Sequence, residues 1–301
     1  MRLSFTGVGT ALITPFTKKG ALDEEAVRRL AARQVEAGVH FLVPCGTTGE
    51  APTLSPQERR RVVEIVADEV EGDAMVLAGA GGYDTREVVR SIRELDGTGA
   101  HGILSVTPYY NKPTQEGLYQ HYRAIADSTK LPIIIYNVPG RTGCNMEPAT
   151  LAKLATVSNI VGVKEASGNM AQMAEICATL PPEFIVLSGD DALGLPLMAV
   201  GGKGIISVVS NEVPAETVQM VEAAERGDFA TARRWHQKLF ALMQVNFIES
   251  NPIPVKFALA KMGLCEDTYR LPMVPPKRAS QDRIVAVLKE FGMPIATESR
   301  A

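Results

Sequence analysis

Lys164 is the residue whose surroundings point most directly to chemistry. In Asn159-Ile160-Val161-Gly162-Val163-Lys164-Glu165 it follows four uncharged residues that read as a buried strand. Burial disfavours an ammonium, so the pKa falls and a neutral amine becomes available. Such an amine attacks a ketone to form a Schiff base, and the iminium then serves as an electron sink. The competing reading pairs Lys164 with a carboxylate such as Glu165, or lets it reach water from the strand end.

Other groups with chemical potential also sit where apolar runs end. Tyr136 and Asn137 close the run Ile133-Ile134-Ile135, and Val138-Pro139-Gly140-Arg141-Thr142-Gly143 follows. The phenol offers a proton relay. The guanidinium offers a planar carboxylate clamp, with a surface salt bridge as its plainer alternative. Gly46-Thr47-Thr48-Gly49-Glu50 combines close backbone approach with uncharged hydroxyls, or is simply a strand-to-helix turn. Thr107-Pro108-Tyr109-Tyr110-Asn111-Lys112 places two tyrosines on a loop, for catalysis or for interface packing. Cys45 reads as a small buried residue rather than a nucleophile, because no His adjoins it. Asp190-Asp191 suits a metal or an acid/base pair, but a helix N-cap is the favoured reading. His40, His101, His121 and His236 show no metal-ligand spacing, and the third glycine of a dinucleotide turn starting at Gly79 would fall on Asp84.

Positioning these groups requires regularly spaced strands. Apolar, β-branched runs occur at 7–13, 40–44, 75–80, 102–106, 132–137, 160–164, 184–188 and 204–208. The stretches between them carry helical periodicity. Ser55-Pro56-Gln57-Glu58 is a capping box with proline at the first helical position, and Asp23 caps a helix that Gly38 ends. Eight strand–helix units predict a (β/α)8 TIM barrel, with a doubly wound sheet as runner-up. Past Gly227 the strand signal stops, and 229–245, 253–262 and 281–291 read as three helices divided by prolines. The expected division is a catalytic barrel over 1–226 and a C-terminal all-helical domain over 227–301.

Composition narrows the classes. The 301 residues hold 31 Lys plus Arg against 34 Asp plus Glu, a net charge of −3 that gives no positive field for nucleic acid. Four cysteines, at 45, 144, 177 and 265, form no C-x-x-C pair and read as reduced thiols of a cytoplasmic protein. Residues 3–17 read as a first buried strand rather than a signal peptide, and no stretch approaches the roughly 20 apolar residues of a membrane span.

With these motifs in order, the chain resembles the dihydrodipicolinate synthase family of pyruvate-dependent class I aldolases. The likeness continues through Ser188-Gly189-Asp190-Asp191, Asn251-Pro252-Ile253-Pro254-Val255-Lys256 and Leu271-Pro272, so it covers nearly the whole length. The resemblance implies a homotetramer built from two tight dimers, with a Schiff base to pyruvate on Lys164 and no metal or organic cofactor. It implies a proton relay of Tyr136, Thr47 and Tyr110, the last reaching into a neighbouring subunit. Thr48 and the backbone around Gly189 and Ile206 would hold pyruvate, and Arg141 the carboxylate of L-aspartate 4-semialdehyde. N-acetylneuraminate lyase and keto-deoxy sugar-acid aldolases are the alternative. They generally lack the Gly-Arg-Thr of this loop, which favours the amino-acid-like semialdehyde.

One departure concerns regulation. Lysine-inhibited relatives bind lysine at the tight-dimer interface with polar residues, where this chain has Ala51, Pro56, Arg59 and Tyr83, although Glu87 and Tyr109 remain. Arg59 also repels a cationic ligand. Lysine feedback is therefore expected to be weak or absent; a steady-state inhibition constant in the submillimolar range contradicts this.

Overall fold

The structure, a computed structural model, describes residues 4–296. The expected spans 1–226 and 227–301 also take in residues 1–3 and 297–301, which lie outside the described residues. Strands β1 (Gly7–Ala11), β2 (Phe41–Val43), β3 (Met75–Gly79), β4 (Gly102–Val106), β5 (Ile133–Asn137), β6 (Ile160–Glu165), β7 (Ile185–Ser188) and β8 (Gly204–Ser207) pair in sequence order, all parallel. β8 returns to β1 and closes the barrel, which removes the open-sheet alternative. Each apolar run holds one strand: β4 matches its run, β6 extends through Glu165, and the others are trimmed at one or both ends.

Helices α1 (Glu24–Glu36), α2 (Pro56–Val70), α3 (Thr85–Arg93), α4 (Gln115–Asp127), α5 (Pro139–Thr142), α6 (Pro148–Leu154), α7 (Met170–Thr179) and α8 (Asp191–Ala199) connect the strands. Their starts are where side chains satisfy free backbone donors. Asp23 accepts from Ala26 N at 3.0 Å, and Ser55 and Glu58 form the reciprocal capping box. The helices cover the outer face of a sheet whose strands are apolar on both faces.

The inner face is filled by Phe5, Phe41, Leu77, Leu104, Ile134 and Leu187, all buried. Each such side chain contributes about 1.5–3 kcal/mol through burial. Phe5 and Phe41 meet edge to face with centroids 5.6 Å apart. Gly9 makes room for this contact, since a Cβ there would stand 2.1 Å from Phe41 Cε2. The floor of the barrel is therefore solid, and only its upper rim is open to chemistry.

After α9 (Pro214–Glu225) come α10 (Phe229–Val245), α11 (Ile253–Lys261) and α12 (Arg278–Phe291), with no further strand among the described residues. α10 packs on α8, α9 and α12, and Leu239 and Leu242 share one apolar cluster with Ile284 and Leu288. A buried ion pair ties this region to the barrel. Lys256 of α11 donates to Glu50 at 2.5 Å, with the two side chains 0% and 1% exposed. The ammonium also lies 4.0 Å from the centre of the Phe16 ring. Burial lowers the Lys256 pKa, against the attraction of Glu50. Nearby, Arg270 grips both oxygens of Glu58 and holds that carboxyl down at about 2.

Removing one partner of the buried pair strands the other charge. Lys256→Met is expected to cost about 3–5 kcal/mol, read from the urea midpoint. Adding Glu50→Gln recovers part of that loss. Equal stability of the native chain and Lys256→Met contradicts the assignment.

Candidate active site

Side chains of a strand alternate between its two faces, and this decides what Lys164 meets. Lys164 points into the barrel and is only 6% exposed, whereas Glu165 points out towards α7. Glu165 accepts from Ser167 N at 2.7 Å, Asn137 Nδ2 at 2.9 Å and Gln172 Nε2 at 3.2 Å. The Lys164–Glu165 pairing is thus excluded, as is an escape to water, and Lys164 forms no salt bridge among the described residues. Burial brings the Lys164 pKa down to about 7; the Asp191 carboxylate opposes the fall and the Arg141 guanidinium adds to it.

The neighbouring strand supplies the phenol. Tyr136 of β5 is in register with Lys164 of β6, and Nζ lies 4.2 Å from the centre of its ring. Asn137 and Glu165 form the next pair in the same register and hydrogen-bond on the outer face, so one polar clamp holds both strand ends. Burial raises the Tyr136 pKa, opposed by the Arg141 charge and by a hydrogen bond with Thr47.

Thr47 reaches Tyr136 because its loop turns sharply at both ends. Cys45 and Glu50 adopt left-handed backbone, with φ of 57° and 52°. Cys45 is buried and its thiol is pushed up to about 12, which suits a packing residue and not a nucleophile. Thr48 is buried beside Thr47, and its Oγ1 accepts from Asn251 Nδ2 at 3.0 Å.

Gly189 lies against the lysine itself. A Cβ at this position would stand 2.8 Å from Lys164 Cε and 2.7 Å from Ala166 Cβ, so no side chain fits. Its N–H is already engaged by the Glu165 carbonyl at 2.8 Å, which leaves its carbonyl as the free polar group. Ile206 of β8 is buried in the same inner cluster as Tyr136. Arg141 sits on α5, exposed at the rim, and donates to the Asn251 carbonyl at 3.3 Å.

Tyr110 is the exception. The structure leaves it 90% exposed on left-handed backbone with φ of 69°, outside the cluster formed by the other residues. Its neighbour Tyr109 packs edge to face on Tyr83, centroids 5.3 Å apart.

Asp190 caps α8 by accepting from Ala192 N at 2.9 Å, in line with the favoured reading. Asp191 has a different part. It is buried and accepts from Val208 N and Val209 N at 2.9 and 3.0 Å, a fixed negative charge acting on Lys164. Among the described residues no group of His, Cys, Asp or Glu is arranged to hold a metal ion. His121 is buried against Thr85, and burial drops its pKa to about 4, a structural environment.

Two supports of the site were given no such role by the sequence reading. Asn251 joins it across 203 positions from Thr48, a separation that no local pattern reveals. Asn137, Asn145 and Gln172 complete the outer clamp on Glu165, and only the strand alternation at Tyr136 and Lys164 hints at them.

What the site can do follows from these contacts: a buried amine whose pKa lies at about 7, a phenol–hydroxyl pair beside it and one guanidinium at the rim. Known proteins resemble the chain over nearly its whole length. Residues 4–291 match the Dihydrodipicolinate synthetase family. A 4-hydroxy-tetrahydrodipicolinate synthase of Chloroherpeton thalassium is 50% identical over 293 residues, 97% of each chain. One from Nitratidesulfovibrio vulgaris is 50% identical over 292 residues, 97% of this chain and 100% of the relative. The crystal structure of dihydrodipicolinate synthase from Aquifex aeolicus superposes with a TM-score of 0.95 at 44% identity, covering 97% of this chain and 100% of that one. Matching over this span, and carrying a buried lysine at the end of a strand of a closed eight-stranded barrel, the chain belongs to the dihydrodipicolinate synthetase family.

Proposed function

We propose that this chain uses Lys164 to condense pyruvate with L-aspartate 4-semialdehyde, giving 4-hydroxy-tetrahydrodipicolinate. It is a Schiff-base-forming lyase of the diaminopimelate and lysine biosynthesis pathway. One observation carries the chemistry: Lys164 is buried without a salt bridge and its pKa is drawn down to about 7. The names of relatives at about half identity favour this activity over a sugar-acid aldolase.

The neutral amine of Lys164 adds to the pyruvate carbonyl, and loss of water gives the iminium. Loss of a methyl proton forms the enamine, whose carbon attacks the aldehyde of the second substrate. Tyr136 and Thr47 are in hydrogen-bond contact and are suited to pass these protons. Tyr110 completes the relay from a neighbouring subunit, a role that its exposure on one protomer supports. Thr48 and the backbone around Gly189 and Ile206 hold the pyruvate moiety, and the rim position of Arg141 suits the semialdehyde carboxylate. Transimination or hydrolysis of the lysine adduct then frees the product. Lys164 itself provides the covalent chemistry, and the reading needs no metal or organic cofactor.

In this reading 1–226 is the catalytic barrel and 227–301 the helical extension. The assembly is a homotetramer, two tight dimers placing Tyr110 across an interface, and the enzyme works in the cytoplasm. No helix of the described residues is long and apolar enough to cross a membrane.

Borohydride reduction in the presence of pyruvate is expected to leave a pyruvate-derived adduct on Lys164, located by peptide mass spectrometry. Lys164→Ala removes it, and a native protein without the adduct sinks the mechanism. The trapping rate should also follow the neutral amine, rising with pH through about 7 and then levelling. One unit below the midpoint about a tenth of the amine is neutral, one unit above about nine-tenths. Arg141 contributes to the lowered value, so Arg141→Gln moves the midpoint upward. A downward or absent shift in stopped trapping assays contradicts the electrostatic assignment.

A further inference from the structure

Asn251 comes from the segment leading into α11, yet it touches residues of two barrel loops. Its side-chain Nδ2 donates to Thr48 Oγ1 at 3.0 Å, and its backbone carbonyl accepts from Arg141 at 3.3 Å. It is 5% exposed, and the buried Lys256–Glu50 pair anchors the helix behind it to the Thr47–Thr48 loop. This placement joins the residue assigned to pyruvate with the one assigned to the aldehyde.

The direction of the Thr48 contact matters. With its amide in this orientation Asn251 donates through Nδ2 and Thr48 Oγ1 accepts, which leaves the single hydroxyl hydrogen to point elsewhere. Among the described residues Asn251 is the only hydrogen-bond partner of the Thr48 side chain. A hydroxyl that accepts one hydrogen bond is polarised into a stronger donor for the next. Pyruvate brings a carboxylate, which accepts and never donates.

We propose that Asn251 is a positioning residue that directs the Thr48 hydroxyl hydrogen towards the carboxylate of bound pyruvate. The inference rests on the assignment of Thr48 to pyruvate. Asn251 itself forms no bond to substrate and acts through Thr48.

The test is a double-mutant cycle on the purified, full-length enzyme. Asn251→Ala is expected to raise the pyruvate KM about tenfold, the worth of one hydrogen bond to a charged group. The aldehyde KM stays within about twofold, because the backbone carbonyl that receives Arg141 is retained. In a Thr48→Val background the same substitution changes the pyruvate KM by less than about twofold, since its intermediary is gone. An equal rise in both backgrounds, or a rise confined to the aldehyde, overturns the proposal.

Asn251→Asp keeps the shape and serves if the alanine variant does not fold. Its carboxylate draws the Thr48 hydrogen to itself, so the pyruvate KM rises at neutral pH and falls back as acid protonates the aspartate. A KM profile parallel to that of the native enzyme overturns the proposal. Borohydride trapping on the native protein separates the two levels. No adduct on Lys164 defeats the functional reading itself; an adduct combined with a failed cycle defeats only the role of Asn251.

Discussion

Everything at this site depends on keeping an ammonium-forming side chain out of water without giving it a carboxylate to pair with. Strand alternation does this with little freedom. Because Lys164 faces the barrel interior, Glu165 must face the helices, and the nearest acid in sequence is turned away from it. The remaining charges act from fixed distances. Asp191 is held by two backbone amides after β8, and Arg141 stands exposed on α5. Their effects on Lys164 oppose each other, so burial dominates and the amine is left close to neutrality at physiological pH.

A second layer keeps the first in place. The Asn137–Glu165 hydrogen bond lies one residue beyond the Tyr136–Lys164 pair on adjacent strands, outside the barrel. Any slip of β5 against β6 would break the outer bond and separate the phenol from the amine together. Gly189 fills the remaining side, where the backbone of the next loop comes within van der Waals contact of the lysine stem. Such a site is rigid by packing, as catalysis by positioned groups requires.

Local physics made much of this legible in the sequence. The strand runs, the Ser55 capping box and the Asp23 and Asp190 caps follow from steric and hydrogen-bonding preferences that span a few residues. The placement of Lys164 followed from the same short range. Barrel closure did not, because the β1–β8 pairing joins ends of the sheet about 200 positions apart and leaves no periodic mark. Asn251 was read as part of a motif and a helix boundary and given no place at the site, since its contacts with Thr48 and Arg141 exist only once the chain has folded back. Asp191 was grouped with Asp190 because adjacent carboxylates look alike on paper. Rotation of a helix by one residue sends one to cap the backbone and the other into the protein interior.

The buried pair between Glu50 and Lys256 bears on how such a chain can change over generations. Glu50 belongs to the loop that presents the two threonines, and Lys256 to a helix after the last strand. A recombination that exchanged the C-terminal helices for an unrelated partner would leave a carboxylate sealed without its partner beside the Thr47–Thr48 loop. The seam between barrel and helices therefore runs beside the Thr47–Thr48 loop. Exchanging the helices as a separate module therefore carries the cost of an unpaired buried charge.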